Sequence, residues 1–81
     1  MNRQMLNVIM SIIIETLDEA GTDCAESTIY MAIGSDINLY SEVKSILVGA
    51  GIISISFHRC SLTEKGKQLA QKIRDAKSAV A

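Results

Sequence analysis

Residues 50 to 69 stop one helix, turn back through a short strand pair and start another helix, which leaves few folds open to the chain. Gly51 follows an apolar helical stripe and reads as a helix stop, because glycine enters the left-handed conformation without steric penalty. Ile53, Ile55 and Phe57 then alternate with Ser54, Ser56 and His58, the period-2 pattern of a half-buried strand. The turn near Phe57-His58-Arg59 lacks Gly and Asn, so an ideal two-residue hairpin loop is not expected there and the hairpin should be stubby. Thr63 is a good N-cap, and Glu64 sits in the first turn, where the helix dipole favours an acid. Gly66 in that same turn points to close backbone approach by a neighbour.

The rest of the chain reads as helices separated by glycines. A first helix is expected from about Arg3 to Ala20, ended by Gly21. Its apolar residues cover roughly 240° of the helix wheel, wider than the ~100° stripe that one core face needs. Such a helix is buried on two sides. One reading places Met5, Val8, Met10, Ile12 and Ile14 in a homodimer interface. The other sandwiches the helix inside one chain, between the second helix and the last. A turn at residues 21–24 leads through a very short strand to a helix over about Ala25 to Ile33, stopped by Gly34. Ser35-Asp36-Ile37-Asn38 is the next turn, with either Asp36 or Asn38 as N-cap of a third helix that runs to about Ala50. Leu39, Val43, Ile46, Leu47 and Ala50 form its inward stripe, and Tyr40 fits either face. The last helix is expected from Glu64 to about Ala79, with Leu69, Ile73, Ala76 and Val80 inward. Lys77 to Ala81 either fray or extend the dimer contact.

This order of parts resembles the winged helix-turn-helix superfamily. In MarR-, ArsR- and PadR-like DNA-binding domains the recognition helix ends in a phrase similar to Ala50-Gly51-Ile52-Ile53. Their wing runs into a phrase similar to Leu62-Thr63-Glu64-Lys65-Gly66. The resemblance implies a mainly α fold with a small β-hairpin (α+β), in the order helix, short strand, helix, helix, strand, strand, helix, over one domain spanning residues 1–81. It also implies that the short strand pairs with the second wing strand, which brings Cys24 near Cys60. Three readings of that pair are open: reduced and buried small residues, a redox pair, or a metal site with His58 and Asp23. No closely spaced ligand pair supports the last.

Charge bears on partners. Residues 1–51 carry two cations against seven carboxylates, a net of −5, whereas residues 52–81 carry six against two, a net of +4. A nucleic-acid contact should therefore use the basic last part. Asp18 and Glu19, adjacent on a helix, point in different directions and are expected to be solvated. No convergent catalytic set, phosphate loop or paired-carboxylate motif is visible, so neither an enzyme nor a cofactor is expected. The apolar run from Leu6 to Ile14 is too short to span a membrane and lacks the flanks of a signal peptide, so a cytoplasmic protein is expected.

For a helix-turn-helix protein the N-terminal part of the third helix enters the major groove. That part offers Asn38, Ser41, Lys44 and Ser45, with Tyr40 as a phosphate or sugar contact. Asn reads adenine bidentately, and the usual Arg for guanine is missing. His58 and Arg59 at the wing tip, with Lys65 and Lys67 at the start of the last helix, would clamp the backbone with about four cations per subunit. Asp36 and Glu42 on or beside this surface oppose phosphate. The expected function is a small dimeric transcriptional regulator on duplex DNA. The alternative is a winged-helix protein-interaction or adaptor module, in which the basic last helix neutralises acidic surface of its own or of a partner chain.

Overall fold

The computed structural model describes residues 3–80, with side chains described as far as residue 78. It is mainly helical with a small three-stranded antiparallel sheet, an α+β fold. The elements are α1 (Arg3–Ala20), β1 (Cys24–Ala25), α2 (Glu26–Ala32), α3 (Ile37–Gly49), β2 (Ile53–Ser56), β3 (Arg59–Leu62) and α4 (Glu64–Val80). The sheet order is β1-β3-β2, so the last strand in sequence lies in the middle. Cys24 pairs with Cys60 on one side of β3, and Ile53 pairs with Leu62 on the other.

The helix ends follow from local chemistry. Ala50 closes α3, and Gly51 takes φ +75°. Gly51 N–H then bonds Val48 O (3.0 Å) and Ile52 N–H bonds Leu47 O (3.0 Å), the paired bonds of a Schellman motif. Gly34 and Ser35 end α2 in the same way, on Met31 O (3.1 Å) and Tyr30 O (3.0 Å). Asp36 is the N-cap of α3, its carboxylate accepting from the N–H groups of Asn38 (3.0 Å) and Leu39 (3.1 Å). Between α3 and α4 the chain locks itself. Thr63 N–H and Thr63 Oγ1 both donate to Ile52 O at 3.0 Å, while Thr63 Oγ1 accepts from Gly66 N–H at 3.0 Å. Gly66 is buried there, and a Cβ at this position would lie 2.1 Å from Ile52 O.

The core is aliphatic. Ile13, Ile14 and Leu17 of α1 meet Ile29 of α2, Leu39, Tyr40, Val43 and Leu47 of α3, Ile53, Cys60 and Ala70. Several expectations are corrected. Ile14, placed on an outer dimer face, is 3% exposed in the core of its own chain, and Met10 is half-buried against that core. In α3, Tyr40 turns inward, while Ile46 and Ala50 are exposed. Ala76 is exposed on α4; the side chain of Val80 and the tail residue Ala81 lie outside the described residues. Phe57 leaves the strand alternation. Ser56 pairs with Arg59, so Phe57 and His58 alone make the turn, at φ +51° and +61°. This is a two-residue loop with both central residues at the positive φ of a type I′ turn, despite the absence of Gly or Asn.

Candidate nucleic-acid interface

Glu26 opens α2, in the first turn where a helix tolerates negative charge. Its side chain is 16% exposed and gathers three elements. Tyr40 Oη of α3 donates to Oε2. Lys44 Nζ, one turn further along α3, lies 3.0 Å from the same oxygen. His58 Nδ1 at the hairpin tip lies 3.6 Å from Oε1. Glu26 N–H also bonds His58 O (2.9 Å). The Tyr40 ring packs edge-on against Tyr30, with centroids 5.8 Å apart, and Lys44 Nζ stands 5.6 Å from the Tyr40 centroid. The bond from Tyr40 and the charge and bond of Lys44 hold the Glu26 carboxyl below its ordinary range. Burial, reinforced by Glu26, pushes the Tyr40 phenol well above its ordinary value.

Tyr40 is thus corrected from a phosphate contact to a buried bracket. The remaining α3 candidates divide. Asn38, Ser41 and Ser45 are exposed, in company with Glu42, and offer neutral hydrogen-bonding groups. Lys44 is half-buried on Glu26. At the tip His58 is 96% exposed in its side chain, and Phe57 is 95% exposed. Arg59 next to them bonds Asp23 through Nε (2.9 Å to Oδ2) and reaches Asp23 O (3.2 Å). That contact holds the Asp23 carboxyl below, and the Arg59 guanidinium above, its ordinary value.

Lys65 and Lys67 do not join this group. Lys65 Nζ caps the C-terminal end of α3 at Ala50 O (2.9 Å), at the base of the hairpin. The four residues of β2 separate that base from the tip by about 13 Å. Lys67 lines a separate cleft with Leu17, Asp18, Thr22, Asp23 and Arg74. The expected clamp is therefore split between the two ends of the hairpin.

The acidic and basic parts of the chain also pair with each other. His58 meets Glu26 and Arg59 meets Asp23, while Arg74 pairs with Asp18 (3.0 Å) and Lys77 with Glu15 (2.5 Å). Asp18, expected to be solvated, is one of those partners. Among the described residues no group of three or more His, Cys, Asp or Glu is arranged to hold a metal ion, and no helix is long and apolar enough to cross a membrane. Sequence reasoning missed the gathering role of Glu26. It stood as one of seven carboxylates in the first 51 residues, and no local pattern marks it out.

No family model matches the chain, and neither a curated protein nor a solved structure matches it.

Proposed function

We propose that this chain is a winged-helix protein that binds duplex DNA as a homodimer, reading it with the neutral face of α3 beside the hairpin tip, and acts in transcriptional regulation. The single observation that carries the reading is the convergence on Glu26. It braces α3 against the tip, so that Asn38, Ser41 and Ser45 are presented from one rigid unit with His58 and Arg59. A short, tightly turned-off α2 followed by an N-capped α3, with a β1-β3-β2 sheet, supports the winged-helix reading. Support for the dimer comes from α1. Met5 is 52% and Val8 56% exposed, and Val8 and Ile12 line an apolar groove with Ile73 and Ala76 of α4.

The cations of this surface already have carboxylate partners. Exposed ion pairs are weak, so phosphate can exchange for Asp23 at Arg59 at small cost, while the largely buried Glu26 keeps its place in the brace. Affinity should nonetheless be modest, with Glu42 close to the reading face.

A second reading is favoured by one observation: Phe57 stands almost fully exposed at the tip of a turn that places it at positive φ, beside paired cations. An apolar residue held out in this way suits a protein-interaction module. Fluorescence anisotropy on random duplex across a salt series separates the two. Binding that weakens steeply with salt supports the first reading, and no binding at the lowest salt removes it.

A further inference from the structure

Cys24 and Cys60 are directly opposite each other on the antiparallel strands β1 and β3, and both are free thiols. The phase of the ladder follows from the bond between Glu26 N–H and His58 O. Glu26 and His58 form a hydrogen-bonded pair, Ala25 and Arg59 a non-hydrogen-bonded one, and Cys24 and Cys60 again a hydrogen-bonded one. Cα atoms in such a pair stand about 5.5 Å apart with their side chains on one face, inside the 4.4–6.8 Å range that a disulfide spans. The two thiols differ in access. Cys60 is 1% exposed and belongs to the core, and burial pushes its thiol up to about 11. Cys24 is half-buried at the sheet edge.

We infer that Cys24 and Cys60 constitute a thiol–disulfide site, at which a small-molecule disulfide such as glutathione disulfide reacts first with Cys24 and Cys60 then closes a cross-strand bridge. In the first step the Cys24 thiolate attacks one glutathione sulfur, and a glutathione thiolate leaves and takes up a proton. In the second step Cys60 loses its proton to solvent and attacks Cys24 Sγ, expelling the second glutathione. Two protein thiols are oxidised and one disulfide is reduced to two thiols. Because the Cys60 thiolate is scarce at neutral pH, the second step is the slow one and accelerates as pH rises. The bridge ties β1 to β3 beside the Asp23–Arg59 and Glu26–His58 contacts, so it holds the hairpin tip against the start of α2. The site stands independently of the DNA reading.

The decisive experiment equilibrates the unaltered, folded chain with glutathione buffers of graded disulfide content and follows intact mass and a non-reducing digest. The expected product is lighter by two hydrogens and links Cys24 to Cys60. The folded chain should reach half-oxidation at a potential at least 30 mV more reducing than the chain in denaturant, a tenfold preference contributed by preorganisation. Cys60→Ala should stop at a glutathione adduct on Cys24. A native chain that accumulates that adduct without a bridge, or that bridges no more readily folded than unfolded, would overturn the inference.

Discussion

Gly66 and Glu26 show how much single side chains decide here. At Gly66 the obstacle is a backbone carbonyl, Ile52 O, which also accepts two bonds from Thr63 and so cannot move aside. Gly66→Ala should cost about 3 kcal/mol, at the upper end for overpacking, read as a lower denaturation midpoint with an unchanged slope. Glu26 has the opposite character, since its value lies in what it collects. Its carboxyl is held low in the folded state, so its stabilising contribution is complete above the ordinary carboxylate range and is lost as pH falls through that range towards the folded value. Glu26→Gln should lower stability by about 1.5–3 kcal/mol at neutral pH, the worth of a hydrogen bond to a charged group. The same variant should show a shallower loss of stability between neutral and acid pH, measured by urea unfolding at each pH.

Among the elements, α1 carries the clearest division of labour. Its C-terminal half supplies Ile13, Ile14 and Leu17 to the core, so the second half of the wide apolar arc is used inside the chain. Its N-terminal half leaves Met5 and Val8 at the surface. The sandwiched reading therefore describes the C-terminal half, and the exposed N-terminal half is the part that the proposed dimer would use. Val8→Glu changes a residue that is more than half exposed, so the monomer should still fold, read as an unchanged far-UV circular-dichroism spectrum, with the thermal midpoint lowered only by the dimer stabilisation that is lost. It should convert a dimer to a monomer in sedimentation velocity, because a carboxylate would be left facing its own copy across an apolar contact. A wild-type chain that already sediments as a monomer would remove the homodimer.

For the molecule as a whole, the acid-first, base-last charge order acts first as internal complementarity. Arg74 and Lys77 of α4 lie against Asp18 and Glu15 of α1, and Arg59 against Asp23, so three of the six cations in residues 52–81 already have carboxylate partners. Lys44 and Arg59 are the permanent cations next to the proposed reading face, which would make four in the proposed dimer. The logarithm of DNA affinity should fall with the logarithm of salt with a slope of about −4. Lys44→Ala with Arg59→Ala should flatten that slope without changing sequence preference, while Asn38→Ala should alter preference at one position.

Local punctuation was legible from the residues alone. Gly21, Gly34 and Gly51 end helices, Thr63 begins one, and Gly66 marks a close approach, because each acts on backbone groups within a few positions of itself; for the third helix the residues left Asp36 and Asn38 open, and the structure chose Asp36. The bounds of α1 and the alternation of Ile53 and Ile55 were legible for the same reason. The partners of the charged groups were not. The bonds of Glu26 to Tyr40, Lys44 and His58 span 14 to 32 positions, and the pairing of Asp18 with Arg74 spans 56. A sequence shows that such groups exist and tertiary packing chooses among them. Tyr40 went inward because Glu26 could satisfy its hydroxyl. Phe57 went outward because the strand pairing placed the turn on it, two consequences of contacts that no local pattern encodes.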